Sequence, residues 1–130
     1  MTPPRPMPGP DDAFFWEGVN RSQLLLQHCL DCGALRHPPG PMCPACRSTR
    51  WEARPASGRG RLLSYVIPHE PLLPGFEPGY VVGLVELDEG PRIVSNVVDV
   101  APDDLRNGMA LAVSFEEIAP GLSLHRFRAP

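Results

Sequence analysis

Four cysteines, arranged as two Cys-x-x-Cys pairs, are the residues of this sequence best suited to chemistry. Cys29 and Cys32 form the first pair, and Cys43 and Cys46 form the second after ten intervening residues. The chain has no other cysteine. Each pair can bring two thiolates to one ion from a single tight turn, and two facing turns supply the four sulfurs of a tetrahedron. The spacing therefore predicts a structural zinc site.

Two other uses of these cysteines stay open from the spacing alone. Iron in a rubredoxin-like site takes the same four ligands, and a redox-active disulfide is the third reading. No thioredoxin-like βαβ pattern surrounds the pairs, which disfavours the disulfide. Four protein sulfurs leave no coordination position for water or substrate, so the metal is predicted to be non-catalytic. His28 and His37 lie beside the pairs and are expected to be satisfied histidines rather than ligands.

The segments around the cysteines predict a zinc ribbon over residues 24–56. Residues 24–29 have the apolar composition of a strand that enters the first pair, and residues 34–39 are predicted to be a strand that leaves it. Residues 50–55 follow the second pair and alternate in polarity. Antiparallel strands of this kind would hold the two cysteine turns face to face.

A proline-rich arm and a short helix are predicted ahead of the ribbon. Residues 1–10 contain five prolines and are expected to be extended. Residues 11–23 contain the helix, with Asp11 and Asp12 available as its N-cap. One short helix cannot hide three consecutive aromatic side chains on one side. Packing on the chain's own domain and contact with a partner therefore both stay open for Phe14, Phe15 and Trp16.

The remainder of the chain, residues 57–130, predicts a small β-barrel. Residues 57–60, with the sequence SGRG, are predicted to be a hinge, and Gly83 is predicted to mark a bulge or bend. Five short strands with one helical turn between the third and fourth fit the OB-fold, and an open β-sandwich is the alternative. The predicted strands cover residues 61–69, 80–87, 92–100, 110–118 and 122–128, and the turn covers 102–109.

Charge is distributed unevenly and restricts the choice of partner. Residues 20–69 have a net charge of +5, whereas residues 70–121 have ten acidic residues against two arginines, a net charge of −8. This acidic barrel disfavours the alternative function, a single-stranded nucleic-acid-binding ribbon and OB module. The chain has no secretory signal pattern and no apolar run of membrane-spanning length, so we expect a cytoplasmic protein without membrane contact.

Taken in order, the motifs FFWEGV, LLLQHCLDCGALRHPP, CPAC, SGRGRLLSYVIPH, PGFEPGYVVGLVELDEG and GMALAVSFEEI resemble a known family. The chain is similar, over roughly residues 12–128, to the acyl-CoA-associated zinc-ribbon OB-fold proteins, catalogued as a domain of unknown function. The resemblance implies a mainly β fold: a short N-terminal helix, a rubredoxin-like zinc ribbon and a five-stranded OB-fold barrel.

The same resemblance implies a non-catalytic small subunit. Family members pair with thiolase-fold proteins that act on acyl-CoA thioesters, and they stabilise the partner or shape its CoA channel. A hetero-oligomer with a steroid side-chain aldolase or a lipid-transfer-type thiolase is the leading expectation, with the catalytic residues in the partner. The candidate contacts with partner or CoA are Phe14, Phe15, Trp16, Arg59, Arg61 and Phe76.

An independent enzyme is the third hypothesis. His69 beside Glu70 is its best candidate for acid–base work, with Ser64 and Asp99 as further reactive types. No nucleophile elbow or glycosidase-like carboxylate pair is recognisable around these residues. The sequence therefore favours an accessory subunit over an enzyme that acts alone.

Overall fold

The computed structural model describes residues 4–130 and contains, within that range, one α-helix and eight β-strands. Residues 1–3 of the predicted arm lie outside the described residues. No helix among the described residues is long and apolar enough to cross a membrane. The elements are α1 (Ala13–Asn20), β1 (Leu25–Cys29), β2 (Leu35–Arg36), β3 (Trp51–Pro55), β4 (Arg59–Val66), β5 (Val81–Leu87), β6 (Arg92–Val97), β7 (Ala110–Ala119) and β8 (Leu122–Arg128), with a 3-10 turn at Pro102–Asp104.

The ribbon is a three-stranded antiparallel sheet in the order β2-β1-β3. Its central strand pairs Gln27 with Arg36 on one side and Cys29 with Trp51 on the other. The strand predicted over residues 34–39 has only two residues, because Pro38 and Pro39 have no N–H to donate to the ladder.

The second sheet is a closed barrel in the order β4-β5-β6-β8-β7, and pairing of β4 with β7 completes the circle. All neighbours are antiparallel except β6 and β8, which run parallel through Asn96 and Arg126. The 3-10 turn lies between the third and fourth barrel strands, as the OB-fold requires. Closure confirms the predicted five-stranded barrel and excludes the open sandwich.

Gly83 serves packing inside the barrel rather than a bulge. The register shift is on the neighbouring strand, between Leu62 and Ser64, and Gly83 itself pairs regularly within β5. A Cβ at Gly83 would lie 2.8 Å from Val97 Cγ2 and 3.0 Å from Leu62 Cδ1. Of the predicted bulge or bend at Gly83, the bulge is wrong, because the irregularity lies on β4. Glycine is required at this position because Val97 and Leu62 fill the space beside it.

Helix α1 packs closely on the ribbon. Its buried residues are Phe15, Gly18 and Val19, which share one face because they are spaced by three and four positions. A Cβ at Gly18 would lie 2.7 Å from Leu25 Cδ1, so glycine allows the helix to approach β1. Asp12 occupies the N-cap position, but its carboxylate makes no cap hydrogen bond to α1.

One apolar core joins the helix, the ribbon and the barrel. Phe15 and Val19 of the helix, Leu26 of the ribbon, and Leu62 and Phe127 of the barrel belong to the same buried cluster. The ribbon and the barrel therefore contribute side chains to a single buried cluster.

The predicted hinge at residues 57–60 is a packed junction. Gly58 is buried at a φ of +82°, and its carbonyl accepts a hydrogen bond from the Val113 amide at 2.7 Å. The Ser57 amide donates to Glu89 Oε2 at 2.6 Å. These bonds tie the connection between ribbon and barrel to β7 and to the β5–β6 turn, so its glycines serve close approach.

Substitution of Gly58 by alanine tests this junction. The new Cβ would lie 2.4 Å from Val113 Cγ1, in addition to the strain of a positive φ. Gly121→Ala is the matched control, because Gly121 has a φ of +73° with nothing within 4 Å of the added Cβ. We expect Gly58→Ala to lower the free energy of unfolding, measured by urea denaturation, by about 1–3 kcal/mol more than Gly121→Ala does. Equal losses of unfolding free energy in the two variants would contradict this, because they would show that the junction moves to accommodate the added Cβ.

Candidate metal centre and partner-contact residues

The first cysteine pair lies in a hydrogen-bonded turn at the end of β1. The Cys29 amide donates to the Ala34 carbonyl at 2.8 Å, and the Gly33 amide donates to the Cys29 carbonyl at 3.0 Å. Gly33 follows the second cysteine of the pair at a φ of +79°, a conformation that glycine adopts without steric cost.

The second pair repeats this turn with different residues. The Cys43 amide donates to the Ser48 carbonyl at 2.8 Å, and the Arg47 amide donates to the Cys43 carbonyl at 2.8 Å. Arg47 occupies the position equivalent to Gly33 and has a φ of +67°, which is unusual for a residue with a side chain. The two turns are therefore near copies, and each directs its pair of sulfurs towards the other.

The four sulfurs lie together at distances that suit a single metal ion. Cys29 Sγ is 3.6 Å from Cys46 Sγ, Cys32 Sγ is 3.7 Å from Cys43 Sγ, and all four lie within 4.8 Å of one another. A tetrahedron with metal–sulfur bonds of about 2.3 Å has edges of about 3.8 Å. The cysteines are therefore positioned to bind a metal ion in a rubredoxin-like zinc ribbon.

Backbone amides in the turns favour the thiolate form of the first cysteine of each pair. The Cys32 amide lowers the pKa of the Cys29 thiol to about 6, and the Cys46 amide likewise lowers the pKa of Cys43. The pKa of Cys32 is raised by the Cys43 sulfur, and that of Cys46 is raised by burial and by the neighbouring sulfurs. Cys29 and Cys43 are buried, whereas Cys32 and Cys46 are exposed. Zinc, when bound, would link the two turns and contribute folding free energy.

The two histidines near the cysteines have different surroundings. His28 Nδ1 lies 3.0 Å from Glu52 Oε1, in agreement with the expectation of a satisfied histidine. His37 packs against the Phe15 ring at 5.2 Å, and its buried Nδ1 has no hydrogen-bond partner among the described residues. Burial lowers the pKa of His37. The expectation of a satisfied side chain is therefore wrong for His37, because this histidine belongs to the contact between helix and ribbon.

The three consecutive aromatics of α1 point in three directions. Phe15 is only 3% exposed and lies between His37 and His125 of β8, whose ring centroid is 5.3 Å from its own. Phe14 is half-buried against Trp51 of β3 at 4.7 Å. Trp16 is half-buried with its ring centroid 5.8 Å from that of His125. Phe15 therefore packs in the chain's own core, whereas Phe14 and Trp16 retain accessible surface.

The candidate CoA contacts lie at separate places on the barrel. Arg61 Nη2 is 2.7 Å from Glu86 Oε1, and Arg92 Nε is 3.7 Å from the other oxygen of that carboxylate. Arg59 is exposed and has no ion pair within the described part of the chain. Phe76 lies in the loop between β4 and β5, with its ring 4.7 Å from that of Tyr80.

A buried polar pair behind the cysteine turns was not identified from the sequence. Gln27 is 1% exposed, and its Oε1 accepts hydrogen bonds from Arg36 Nε at 2.8 Å and from the Gly40 amide at 2.9 Å. Arg36 is 9% exposed and also donates to the Gly40 carbonyl. The pair fixes the segment between the two cysteine turns. The only sequence signal was a glutamine within the apolar run of residues 24–29.

The residues considered for an independent enzyme are not joined by hydrogen bonds among the described residues. His69 and Glu70 are exposed on the loop between β4 and β5. Asp99 Oδ2 is 3.5 Å from Arg128 Nη1. Ser64 is exposed on β4.

Removal of one thiolate tests the metal site. With Cys43→Ser, we expect zinc affinity to fall by more than about 100-fold, which exceeds the 10–100-fold effect of losing a supporting residue outside the ligand set. Metal analysis of purified protein and competition with a chromophoric chelator measure the effect. His28→Ala is the control, because His28 lies next to Cys29 and is paired with Glu52. Full zinc occupancy in Cys43→Ser would refute the ligand assignment.

Burial of His125 predicts an acid-sensitive fold. Desolvation lowers the pKa of His125 to about 4, below the value of about 6.5 for a histidine in the unfolded chain. Between these values the unfolded chain binds a proton that the folded chain does not. Through this residue, acidification from about pH 7 to about pH 5 should lower the free energy of unfolding by about 2 kcal/mol.

The measurement is urea denaturation of the parent, His125→Gln and the exposed-loop control His69→Gln at both pH values. We expect the acid-induced loss to shrink in His125→Gln only. An unchanged loss in that variant would contradict the assignment.

Comparison with known proteins bears on both halves of the chain. Residues 16–52 match the family described as the ChsH2 rubredoxin-like zinc ribbon domain, and residues 53–116 match the ChsH2 C-terminal OB-fold domain. A solved structure titled Ltp2-ChsH2(DUF35) aldolase has a TM-score of 0.92 and 45% identity, and the match covers 96% of this chain and 98% of that one.

Two curated relatives are longer proteins. The Thermomonospora curvata protein named probable enoyl-CoA hydratase alpha subunit is 46% identical over 125 residues, which are 96% of this chain and 39% of the relative. The Mycobacterium tuberculosis 3-oxo-4,17-pregnadiene-20-carboxyl-CoA hydratase alpha subunit is 36% identical over 121 residues, which are 93% of this chain and 38% of the relative. The chain thus spans about two fifths of their length. With both domain matches and the solved structure taken together, the chain belongs to the DUF35 family of ChsH2-type proteins, which combine a zinc ribbon with an OB-fold.

Proposed function

We propose that this chain is a non-catalytic accessory subunit of a thiolase-superfamily enzyme that acts on acyl-CoA. The observation that carries the proposal is the similarity, over nearly the whole of both chains, to a chain of the solved structure described as Ltp2-ChsH2(DUF35) aldolase. A steroid side-chain aldolase or a lipid-transfer-type thiolase is the leading candidate for the partner. The pregnadiene-carboxyl-CoA in the name of one relative supports a steroid acyl group.

The chemistry of the described residues supports a role without catalysis. Four thiolates complete a tetrahedral zinc site, so bound zinc has no position for water or a thioester oxygen. His37 and His125 both pack against Phe15, in the contact between α1 and the two sheets. In the proposed complex, the groups that react with the acyl-CoA therefore belong to the partner.

Accessible aromatic surface supports docking of the partner along the helix. Phe14 lies against Trp51 on the ribbon side, and Trp16 lies on the barrel side, each half-buried. Aromatic side chains of this kind provide large contact area at low entropic cost. We assign the partner contact to Phe14 and Trp16, and Phe15 positions both from the core.

Of the two arginines considered for CoA, Arg59 is the better phosphate contact. Arg61 shares the Glu86 carboxylate with Arg92, so its guanidinium already has an anionic partner. Arg59 is exposed without an ion pair among residues 4–130, and its guanidinium is free to bind a phosphate. Phe76, in the loop between β4 and β5, is assigned to the partner or the pantetheine arm.

A second candidate function is the ribbon-and-barrel portion of an enoyl-CoA hydratase α subunit. It is favoured by the identity to the Thermomonospora curvata relative, which has that name. Both candidates place the chain in a complex that handles acyl-CoA. They differ in the reaction: cleavage of a carbon–carbon bond in the acyl chain, or addition of water to a double bond.

Co-expression with a thiolase-fold protein encoded beside this chain's gene tests the proposal. We expect the two to co-purify, and we expect carbon–carbon cleavage of a steroid side-chain acyl-CoA to fall by at least about 10-fold when this chain is omitted. Assay of enoyl-CoA hydration on the same preparations identifies the second candidate. Failure to co-purify, or binding of single-stranded oligonucleotides at physiological salt, would refute the proposal.

Arginine variants of the same complex test the CoA contact. Loss of one exposed phosphate contact is worth about 1 kcal/mol, so Arg59→Ala should raise the KM for acyl-CoA about 5-fold with kcat unchanged. Arg92→Ala is the control, because Arg92 is exposed but shares Glu86 with Arg61. Equal effects of the two substitutions would remove Arg59 from the CoA site.

A further inference from the structure

The arginine of the buried polar pair behind the cysteine turns has no carboxylate partner among residues 4–130. Arg36 is 9% exposed, and it donates to two neutral oxygens, Gln27 Oε1 at 2.8 Å and the Gly40 carbonyl at 3.3 Å. Its Nη1 is buried and has no hydrogen-bond partner within the same range. A guanidinium group stays charged in proteins, and a buried charge is unfavourable unless an opposite charge compensates it. Arg36 therefore requires a negative group near it.

Both carboxylates of the ribbon are engaged elsewhere. Asp31 and Glu52 are the acidic residues of this part of the sequence. Asp31 Oδ1 lies 3.1 Å from Arg50 Nη1, and Glu52 Oε1 lies 3.3 Å from Arg54 Nη2. Neither carboxylate forms an ion pair with Arg36. The cysteine thiolates are the other side chains of the ribbon that can carry negative charge.

Strand register places Arg36 on the same face of the ribbon as the first cysteine. Arg36 and Gln27 lie directly opposite each other on β2 and β1, and opposite residues of an antiparallel pair share one face. Cys29 follows Gln27 by two positions on β1, so these two side chains also share a face. The Gly40 amide donates to Gln27 Oε1 at 2.9 Å. Through these bonds, the guanidinium joins the strand that ends at Cys29 to the segment that leads to Cys43.

A metal-loaded four-sulfur site is a strongly negative group. Four thiolates carry four negative charges and zinc carries two positive charges, so the loaded site retains two negative charges. Cys29 and Cys43, at the ends of the two segments that Arg36 joins, are both 0% exposed. Salt and water screen buried charges much less than exposed ones. A fixed cation on this side of the site therefore stabilises its loaded form.

We propose that Arg36 is the counter-charge of the metal-loaded four-sulfur site. Gln27 and Gly40 position the guanidinium through its Nε and Nη2. In the loaded chain, the positive charge of Arg36 offsets part of the excess negative charge of the site, and Arg36 is no longer an uncompensated buried cation. Arg36 acts through its charge and is not a ligand. The proposal concerns the chain itself and does not depend on a thiolase-fold partner.

Two substitutions by unbranched side chains separate the charge of Arg36 from its hydrogen bonds. Arg36→Lys and Arg36→Met both remove the guanidinium fork, but only Arg36→Met removes the positive charge. We expect zinc affinity, measured by competition with a chromophoric chelator, to fall at least about 10-fold in Arg36→Met. The affinity of Arg36→Lys should exceed that of Arg36→Met by at least about 5-fold. Equal affinities of the two variants would overturn the proposal.

Arg54→Met is the matched control, because it removes the same charge from an exposed arginine of the ribbon. The Arg54 side chain is 49% exposed and is paired with Glu52. Exposed ion pairs contribute little and are screened by salt, so zinc affinity should stay within about 2-fold of the parent value. A loss equal to that of Arg36→Met would show that affinity follows the net charge of the chain, which would contradict a specific role of Arg36.

Iron in the same site provides a measurement that responds to charge. With four thiolates, the site has one excess negative charge when iron is ferric and two when it is ferrous, so a nearby cation favours the reduced form. We expect the reduction potential of the iron-loaded chain to be lower in Arg36→Met than in the parent and in Arg36→Lys, and unchanged in Arg54→Met. Absorption of the ferric thiolate groups shows that the site has assembled in each variant. Equal potentials of the parent and Arg36→Met would refute the assignment.

Arg36→Gln keeps the test decisive where Arg36→Met does not fold. It removes the same charge but retains an amide that can donate to the Gly40 carbonyl. We expect Arg36→Gln to have a lower zinc affinity and a lower reduction potential than Arg36→Lys. If the values of Arg36→Gln equal those of Arg36→Lys, the charge of Arg36 has no part in metal binding and the proposal fails.

Discussion

The packing of Phe15 against both the ribbon and the barrel is the contact on which the arrangement of the three parts depends. Its ring lies 5.2 Å from that of His37 in the ribbon and 5.3 Å from that of His125 in the barrel. Val19, one helical turn later, is fully buried in the same cluster. Because the side chains of one short helix fill the space between two sheets, the relative position of ribbon and barrel is set by apolar packing.

The four-sulfur site has a different and more local role. It holds the two cysteine turns together at the far end of β1, where the ribbon has little apolar material of its own. Much of β3 is exposed, and β2 has only two residues. A sheet of this size does not bury enough surface to be stable alone, so a metal ion and the contact with α1 have to supply what the ribbon lacks. The metal thus stabilises the surface that carries Trp51 and, through it, Phe14.

The parts that the sequence predicted correctly depend on residues close together in the chain. The two Cys-x-x-Cys turns are local, and β5 and β6 alternate between more and less buried residues along the strand. The order of these elements, with the turn between the third and fourth strands, sufficed for the OB-fold. The resemblance to a family then added the proposal of a partner subunit, which no local pattern contains.

The parts that could not be predicted depend on residues far apart in the chain. A glycine within a strand is typical of a bulge, so Gly83 was predicted to mark one. The reason for this glycine could not be seen locally, because the side chains that crowd it, Leu62 and Val97, are on other strands. His37 was expected to have hydrogen-bond partners for its ring nitrogens. Its packing against Phe15 was not recognisable, because the two residues are far apart in the chain. At Gly83 and His37 a local rule was displaced by a tertiary contact. Asp12 is a local exception, because its carboxylate accepts a hydrogen bond from the Gly9 amide, three residues earlier, instead of capping α1.

The three consecutive aromatics of α1 illustrate how such contacts divide a single sequence motif. Phe15 belongs to the core, so the surface of the helix is split into two faces that differ in what borders them. On the ribbon side, Phe14 lies against Trp51, and the proline-rich arm is not part of that contact. On the barrel side, Trp16 shares a groove with Pro4 and Pro6 of the arm. The two side chains therefore have different neighbours, although they are only two residues apart in the sequence and are both half-buried.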